Sequence, residues 1–377
     1  MVTLVNSSDT LIEAASGTWE VLVIGAGTAG CAAAATLLND GYRTLIVERS
    51  AFPRAKVCGG CLAPAGADGL HQCGLGPALS RSNPRSVDRI EIVTRGFSAT
   101  LPLPAYRVID RSKLDRNLIE RVQQLGGTFV DSTSATVRAD DSVVLTRGTE
   151  RTVLTPGAIV VADGLHGTAL SHRREFDWVV EAGSHVGIGA IVDAFDGPAT
   201  DDRVRMFTSA AGYLGIAPLA GGASVLAAAL DPAAVRTLGR SGLLHRMLDE
   251  SGVRSEALDG IRWQGVSHLR RHRRRAAGGR VLVLGDAMRY IEPFTGEGMS
   301  WGIHCAIRMA PFVRDLLEGR PVGPSWHRSC ATLLRRRHLT CRLVGATIRR
   351  PRLLKPLLRL GRTRPIGRWM SRKVCWN

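Results

Sequence analysis

The sequence predicts an α/β fold that combines a Rossmann-type domain, an inserted antiparallel-sheet domain and a basic, helical C-terminal extension. Residues 21–24 form a short apolar run, followed by a glycine-rich turn, an alanine-rich helical stretch and a second apolar run at 44–47, which is the order of a βαβ unit. Apolar runs between about 185 and 230 alternate with Gly, Pro and Asp, as is typical of an antiparallel sheet. Residues 281–284 return to the continuous apolar pattern of a buried parallel strand.

The length of the chain supports this division into domains. At 377 residues, of which 45% are hydrophobic, it is long enough for about two domains with a buried core. Because the two parts of the Rossmann-type pattern lie far apart in the sequence, we expect that domain to be discontinuous. The predicted segments are 17–75, 105–170 and 276–320 for the Rossmann-type domain, 76–104 and 171–275 for the inserted domain, and 321–377 for the extension.

The positive charge is concentrated at the C-terminus. The whole chain has 50 Lys and Arg against 33 Asp and Glu, a net charge of +17, and residues 331–377 contain fourteen basic residues and no acidic one. Leu353, Leu354, Leu357 and Leu358 add an apolar stripe at helical spacing. The pattern predicts a peripheral anchor on an anionic membrane surface, separate from the motifs described below. A nucleic-acid partner is not favoured, because no aromatic residues are interleaved with the basic ones.

Cysteine usage indicates the compartment. Eight cysteines in a chain of this length, with acidic residues ahead of the first apolar run, argue against a disulfide-rich secreted protein. We therefore expect a cytoplasmic protein held peripherally at the inner face of the membrane. No second ligand pair at usable spacing accompanies Cys58 and Cys61, so no metal site is predicted. No feature of the sequence specifies an oligomeric state.

The first motif is the turn Gly25-Ala26-Gly27-Thr28-Ala29-Gly30, which follows an apolar run and opens a helix. Glycines at this spacing let the backbone approach a pyrophosphate, while the helix N-terminus supplies N–H donors and a positive dipole. Glu48, 18 residues after Gly30, ends the next apolar run, where a carboxylate accepts hydrogen bonds from ribose hydroxyls. Strand, helix and acid together predict dinucleotide binding.

A second motif, in the C-terminal half, indicates which dinucleotide. Leu284-Gly285-Asp286-Ala287, followed by Pro293-Phe294-Thr295-Gly296-Glu297-Gly298-Met299, resembles the flavin-ribityl motif of FAD proteins with the para-hydroxybenzoate hydroxylase-like fold. The resemblance implies that Asp286 hydrogen-bonds the ribityl chain and that the backbone of the second run lies against the isoalloxazine. The dipole of the next helix would then stabilise the anionic reduced flavin. Ala162-Asp163-Gly164 resembles the Asp-Gly motif of the same fold, and Arg111 matches an Arg that neighbours the FAD.

A third segment indicates more closely which family of FAD proteins the sequence resembles. Phe52-Pro-Arg54-Ala-Lys56-Val-Cys58-Gly59-Gly60-Cys61-Leu62 resembles the Lys-x-Cys-Gly-Gly stretch of the geranylgeranyl reductase family, in which this loop passes the flavin. With the other motifs, the resemblance spans about residues 20–310. Two positions depart from it: Cys61 stands where a small residue is expected, and Tyr213-Leu-Gly-Ile-Ala-Pro218 follows only loosely the aromatic-rich run of the reductases. The resemblance therefore defines the cofactor more closely than the substrate.

By this resemblance, the protein binds FAD and transfers a hydride from the reduced flavin to a carbon–carbon double bond of an isoprenoid or other apolar substrate. Cys58 is the candidate proton donor or substrate-pocket residue. Because the sequence has no second Gly-x-Gly-x-x-Gly motif, NAD(P)H is expected to bind transiently as the reductant. The residues expected to bind FAD are Gly25, Gly27, Thr28, Ala29, Gly30, Glu48, Arg49, Arg111, Asp163, Gly285, Asp286, Pro293, Gly296, Glu297, Gly298 and Met299.

Other functions stay open at this point. The same FAD site serves monooxygenases, which hydroxylate aromatic or polyketide-like substrates through a flavin C4a-hydroperoxide. A non-catalytic flavoprotein that binds a membrane surface or nucleic acid is a further alternative. Cys58 and Cys61 form a Cys-x-x-Cys, the pattern of a redox dithiol. The run 270–275 is either a charged edge or loop before the next strand, or a site for an anionic substrate group such as a diphosphate.

Overall fold

The structure is a computed structural model of the chain. It describes residues 11, 17–56, 58–193, 202–253, 256–266, 268–291, 294 and 296–375. The strands are β1 (Val21–Ile24), β2 (Thr44–Val47), β3 (Cys61–Leu62), β4 (Arg85–Thr94), β5 (Phe97–Val108), β6 (Thr128–Val130), β7 (Ser134–Val137), β8 (Val143–Arg147), β9 (Glu150–Leu154), β10 (Ala158–Val161), β11 (Trp178–Val180), β12 (Val186–Val192), β13 (Arg203–Ser209), β14 (Gly212–Pro218), β15 (Ser224–Leu230), β16 (Gln264–Val266), β17 (Arg271–Arg273), β18 (Ala277–Gly278), β19 (Val281–Val283) and β20 (Arg289–Tyr290). The α-helices are α1 (Thr28–Asn39), α2 (Pro64–Gln72), α3 (Gly76–Arg81), α4 (Arg111–Gln124), α5 (Pro232–Asp249), α6 (Gly298–Arg308), α7 (Ala310–Leu317), α8 (Gly323–Ile348), α9 (Pro351–Gly361) and α10 (Arg364–Val374).

The predicted fold class is confirmed. A six-stranded sheet in the order β18-β19-β10-β1-β2-β6 forms the Rossmann-type domain, and its neighbouring strands are parallel except β18 and β19. β1, β2 and β10 are buried along their whole length, which explains why their sequences are continuous apolar runs. α1 begins at Thr28, directly after the glycine turn that follows β1. The carboxyl ends of the parallel strands therefore meet the N-terminus of α1.

An eight-stranded sheet in the order β16-β12-β15-β14-β13-β4-β5-β3 forms the second domain. Its strands are antiparallel except β13 and β4, which run parallel where residues 203–207 pair with 89–93. α5 covers one face of the sheet with its buried Leu243, Leu244 and Met247. The opposite face is turned towards the first domain and leaves room between the two.

The boundary predicted at residue 76 lies too early in the chain. Ala78 and Leu79 of α3 are buried in the core of the first domain, together with Leu114 and Leu118 of α4. β4 and β5 then carry the second sheet as far as Val108, beyond the predicted return at 105. The first crossing between the domains therefore falls near β4.

The C-terminal extension consists of α8, α9 and α10, and it packs against both domains. Trp326 of α8 is fully buried, and its indole Nε1 donates a 3.1 Å hydrogen bond to the carbonyl oxygen of Val283 in β19. Leu354 and Leu358 of α9 are buried in the core of the second domain. Two leucines of the predicted membrane stripe are therefore used for packing.

The helical segment after Glu297 is divided into α6 and α7, which are separated at Met309. Pro311 lies in the first turn of α7. A proline has no N–H to donate to the preceding turn, so it is tolerated at a helix start and interrupts a continuous helix. No described helix is long and apolar enough to cross a membrane.

Trp326→Ala should lower the free energy of unfolding by about 3–5 kcal/mol, because it leaves a cavity in the core and an unpaired carbonyl oxygen. Trp369→Ala is the matched control: Trp369 is 61% exposed on α10, and its loss should change the free energy by less than about 0.5 kcal/mol. Urea denaturation followed by circular dichroism measures both. A Trp326→Ala protein as stable as the native one would show that α8 is not part of the folded core.

Candidate active site

A cavity of about 600 Å³ lies between the two domains. One end is formed by the N-terminus of α1 and by the turn after β19, at the carboxyl ends of the parallel strands. The other end is lined by aliphatic side chains of β4, β5 and β13, and helices α8, α9 and α10 close it on a further side. One cavity therefore connects the predicted cofactor residues with the second domain and with the extension.

Most of the predicted site residues line this cavity. The lining residues among them are Gly27, Thr28, Ala29, Glu48, Arg49, Cys58, Arg111, Asp163, Gly285, Asp286, Gly296, Gly298 and Met299. Gly25, Gly30 and Glu297 do not line it, and Pro293 lies outside the described residues. Motifs that are far apart in the sequence are thus brought to one place.

Gly25 and Gly30 shape the turn after β1. Gly25 has a φ of +105°, and a Cβ there would lie 2.5 Å from the carbonyl oxygen of Ala162. A Cβ at Gly30 would lie 1.8 Å from the carbonyl oxygen of Gly25, so α1 can begin this close to β1 only with glycine at that position. Gly27 is different, because the atoms nearest to a Cβ there are side-chain nitrogens and not backbone.

Three basic side chains converge on Gly27, and we call Arg54, Lys56 and Arg111 the cation cluster. A Cβ at Gly27 would lie 3.5 Å from Lys56 Nζ, 3.6 Å from Arg54 Nη2 and 3.9 Å from Arg111 Nη2. Together with the N-terminus of α1, these groups form an anion-binding corner beside an open backbone. The residues therefore fit FAD, whose pyrophosphate requires positive charge and close backbone approach at this point.

Arg54, Lys56 and Asp115 are site residues that the motifs do not identify as cofactor ligands. Asp115 is fully buried and accepts hydrogen bonds from Arg111, at 2.8 Å from Nη2 and 3.1 Å from Nε. Arg54 Nη2 lies 3.3 Å from Asp115 Oδ2. One carboxylate thus orients both guanidinium groups. The signal in the sequence is the i,i+4 spacing of Arg111 and Asp115, which places them one turn apart on α4.

Lys56 and Asp286 carry opposite charges at the same end of the cavity. Burial lowers the pKa of Lys56, as does the neighbouring Arg111, whereas Asp286 raises it. Burial raises the pKa of Asp286, and Lys56 and Arg111 lower it. Each of the two groups therefore favours the charged form of the other. Asp286 is the residue predicted to hold the ribityl chain, and it lies in a short turn directly after β19.

The loop before α6 forms another part of the wall. Gly296 has a φ of +71°, and a Cβ there would lie 2.9 Å from the Cβ of Cys61. Glu297 is fully buried and accepts a 3.2 Å hydrogen bond from Trp301 Nε1, so its carboxylate stabilises the first turn of α6. Met299 lines the cavity in that first turn. The positive end of the α6 dipole therefore faces the cavity, where it favours negative charge.

The two remaining acids of the site are held by backbone N–H groups. The Glu48 carboxylate accepts hydrogen bonds from Ala26 N at 3.0 Å and from Ser50 N at 3.1 Å. Asp163 Oδ2 accepts from Ala169 N at 3.1 Å, while Asp163 Oδ1 has no hydrogen-bond partner within the described part of the chain. Burial raises the pKa of Asp163. A buried acceptor at the cavity wall is suited to a ligand that brings a donor.

Cys58 and Cys61 lie in different environments. Cys58 Sγ accepts hydrogen bonds from Gly60 N, at 3.4 Å, and from the Arg111 guanidinium, so it touches the cation cluster. Cys61 begins β3 and packs beside Gly296. Burial, with a smaller contribution from Cys58, raises the pKa of Cys61 to about 12, which keeps it protonated and weakly nucleophilic. The asymmetry favours separate roles for the two thiols.

Cys375 adds a cavity residue from the end of the chain. Its thiol is hydrogen-bonded to the hydroxyl group of Tyr106, and both side chains line the cavity. Burial raises the pKa of Cys375 to about 11. The motifs give no signal for this contact, because it depends on how the extension packs against β5.

Arg271 and Arg273 of the basic run are used within the fold. Both guanidinium groups lie 4.3 Å from the ring centre of Trp178, in the neighbouring strand β11. Arg273 also donates hydrogen bonds of 2.9 Å to the carbonyl oxygens of Phe176 and Ala287. Arg271–Arg273 form β17, the middle strand of the sheet β11-β17-β20, so this part of the run is neither a strand edge nor a loop and its arginines are used for packing and hydrogen bonding within the fold.

The fold and the site define an FAD-dependent oxidoreductase. A family model described as FAD binding domain matches residues 18–320, and the chain belongs to this family. The chain is similar to a menaquinone reductase of Mycobacterium tuberculosis, with 27% identity over 366 residues that cover 89% of this chain and 85% of the relative. It is also similar to a 3-amino-4-hydroxybenzoate 2-monooxygenase of Streptomyces platensis, with 30% identity over 166 residues that cover 40% of this chain and 41% of that protein.

Solved structures agree on the fold. A flavoprotein/dehydrogenase from Cytophaga hutchinsonii superimposes with a TM-score of 0.80 and 16% identity, covering 95% of this chain and 92% of the other. A myxobacterial chondrochloren halogenase superimposes with a TM-score of 0.72 and 16% identity, covering 85% of this chain and 79% of the halogenase. At these identities the likeness establishes the fold alone. The finer resemblance to geranylgeranyl reductases stays a prediction.

Gly27→Val should yield a folded protein without FAD. The φ of Gly27 is −83°, so valine is not strained there, and its side chain would occupy the space beneath the cation cluster. Gly242→Val, on the exposed face of α5, is the matched control and should retain the yellow cofactor. The flavin-to-protein absorbance ratio and the circular dichroism spectrum are the measurements. Full flavin content in the Gly27→Val protein would place the cofactor elsewhere.

Lys56→Gln should weaken FAD binding by about 10- to 100-fold, because charged hydrogen bonds contribute about 1.5–3 kcal/mol. Lys113→Gln, on the exposed side of α4, is the control and should leave the Kd unchanged. Burial lowers the pKa of Lys56, so this lysine loses its proton at a lower pH than an exposed lysine does. The affinity of the native protein for FAD should therefore fall as the pH is raised into the alkaline range. This loss of affinity should be absent in Lys56→Gln. Fluorescence titration of apoprotein with FAD measures both effects. Equal affinities for all three proteins would remove Lys56 from the site.

Proposed function

We propose that the protein uses FAD to reduce carbon–carbon double bonds of an isoprenoid or another long apolar substrate. The observation that supports this best is the continuity of the cavity from the cation cluster into an aliphatic region. The lining side chains of that region include Ile90, Ile92, Leu101, Leu103, Val204, Met206, Val225 and Val266. Such a wall stabilises an apolar chain by burying its CH₂ groups, at about 0.8 kcal/mol for each group.

The relatives support the same class of substrate. The similarity to menaquinone reductases extends over most of the chain, and their name specifies reduction of an apolar quinone. Menaquinone is therefore the first substrate to test. We expect NAD(P)H to be the reductant and to bind transiently, because the sequence contains a single Gly-x-Gly-x-x-Gly motif.

In this proposal, the protein's own residues bind and orient the cofactor and protonate the substrate. The cation cluster neutralises the pyrophosphate, and Asp286 orients the ribityl chain. FAD, when bound, supplies the hydride. The aliphatic wall excludes water from the reacting double bond, and Cys58 donates a proton from Sγ to the carbon that does not receive the hydride. Arg111 is hydrogen-bonded to this sulfur, and solvent returns the proton to Sγ after the transfer.

A monooxygenase is the second candidate. The observation in its favour is the similarity to the Streptomyces platensis monooxygenase, which covers 40% of this chain. In that reaction one oxygen atom of O₂ would enter the product, so the two candidates differ in their need for oxygen and in the mass of the product.

The deciding experiment is anaerobic. The purified holoenzyme is incubated with NADPH and menaquinone, flavin absorbance is followed, and the product is analysed by mass spectrometry. The reductase requires that substrate reoxidises the flavin without oxygen and that the product, after its quinone ring has been reoxidised in air, retains two added hydrogens for each double bond. A product that gains one oxygen, formed in air alone, supports the monooxygenase. A photoreduced flavin that no substrate reoxidises supports the non-catalytic alternative.

Cys58→Ala should lower the rate of substrate reduction by about 10²- to 10⁴-fold, the usual effect of removing a general acid. Flavin reduction by NADPH should be unchanged, because it needs no proton from Cys58. Cys61→Ala is the matched control and should be nearly neutral, since Cys61 stays protonated behind Gly296. Stopped-flow measurement separates the two half-reactions. Equal losses in both variants would instead indicate a redox dithiol.

A further inference from the structure

The outward side of the extension exposes a concentration of large apolar side chains, which we call the outer apolar face. Its members are between 40% and 61% exposed: Leu339, Leu343, Leu353, Leu357, Leu360, Ile366 and Trp369. They belong to α8, α9 and α10. The other exposed large apolar residues of the described chain are dispersed over separate elements, at Val153, Val180, Ile191 and Leu238. Clustering on three consecutive helices is the pattern of an interaction surface.

The cavity reaches the surface within the outer apolar face. Leu343 of α8 and Leu357 of α9 line the cavity, and they are also 61% and 41% exposed. Leu354 and Leu358, on the inward side of α9, are buried and line the cavity too. An apolar path therefore leads from the outer apolar face, between α8 and α9, to the aliphatic end of the cavity.

The charge around this face determines what can cover it. Residues 331–377 contain no Asp or Glu, and exposed basic residues flank the apolar ones along each helix. These include Arg352, Arg359, Arg362, Arg368, Arg372 and Lys373. A second copy of the chain would bring the same positive charge to the interface, and a nucleic acid would leave the leucines without partners. An anionic lipid bilayer satisfies both features, because it accepts apolar side chains beneath a layer of negative headgroups.

We propose that the outer apolar face docks on an anionic bilayer and that the apolar substrate enters the cavity from the bilayer between α8 and α9. The docking stands independently, whereas the entry route rests on the proposed function. With the mouth of the cavity at the lipid surface, a long apolar chain passes into the protein without crossing water, which removes the cost of exposing it.

Vesicle flotation of the holoenzyme tests the docking. Native protein should bind vesicles of phosphatidylglycerol and phosphatidylcholine, bind phosphatidylcholine alone much more weakly, and lose affinity as salt rises. A triple variant, Leu353→Gln, Leu360→Gln and Trp369→Gln, should bind anionic vesicles at least about tenfold more weakly, because three apolar anchors are lost. None of these three residues lines the cavity. The control is Val153→Gln with Leu238→Gln, which should bind like native protein.

A spectroscopic measurement checks that Trp369 itself enters the lipid. Native protein should lose tryptophan fluorescence when the vesicles contain brominated phosphatidylglycerol, and Trp369→Phe should lose clearly less. Native-like vesicle binding by the triple variant would overturn the docking, as would equal quenching of both proteins. If the triple variant instead converts a dimer into a monomer without any change in vesicle binding, the face is a protein interface and the proposal is wrong.

The entry route is tested with substrate presented in two forms. The triple variant should reduce substrate dispersed in detergent at the native rate and reduce vesicle-dissolved substrate at least about tenfold more slowly, in proportion to its lost binding. Equal rates in vesicles would overturn the route. If native protein binds vesicles and reduces no substrate even in detergent, the proposed function fails and the docking stands, so the two failures are distinguishable.

Discussion

Arg54, Lys56 and Arg111 bring three positive charges into one corner of the protein interior, where they are stable because Asp115, Glu48 and Asp286 lie beside them. The partners come from separate parts of the chain: α4, the end of β2 and the turn after β19. Because these charges are buried, each must remain paired, and the ion pairs hold the three elements close to the N-terminus of α1. Removing one member leaves an uncompensated buried charge, so the geometry of the cofactor end is determined by the whole set of pairs and not by any one motif.

The parts of this site that could be predicted from the sequence are those set by local backbone geometry. Gly25 and Gly30 are required because a Cβ would strike neighbouring carbonyl groups, and such a requirement shows directly in the residue type. The role of Asp286 was predicted in a different way, from the resemblance of residues 284–287 and 293–299 to the flavin-ribityl motif. The convergence of Arg54 and Lys56 on Gly27 could not be predicted, because it depends on the path of a loop that crosses the carboxyl ends of the sheet. The i,i+4 spacing of Arg111 and Asp115 is compatible with an ion pair on a helix, but the sequence does not show that the pair is buried.

The extension shows where periodicity is ambiguous. Leu353 and Leu357 point to solvent, whereas Leu354 and Leu358 are buried, although both pairs have the same helical spacing. Adjacent apolar pairs at i, i+1, i+4 and i+5 place two stripes about 100° apart on a helix, and the sequence does not say which stripe packs. The large charge suggested a separate anchor, yet arginines on the outward side are compatible with a fully packed inward side.

Different forces hold the two ends of the cavity, and this limits how it can open. At the cofactor end, buried ion pairs join Arg54 to Glu48 after β2 and to Asp115 of α4. The hydrogen bond from Trp326 separately joins α8 to β19 of the Rossmann-type sheet. At the far end, α9 and α10 cover the cavity mainly by apolar contacts, with Met370 and Val374 in the lining and the contact between Tyr106 and Cys375 as a polar tie. Apolar contacts can be exchanged for lipid or substrate at little cost, whereas buried ion pairs cannot be separated without a large penalty. A substrate can therefore displace α9 and α10 more easily than it can part the domains, which agrees with a mouth located between α8 and α9.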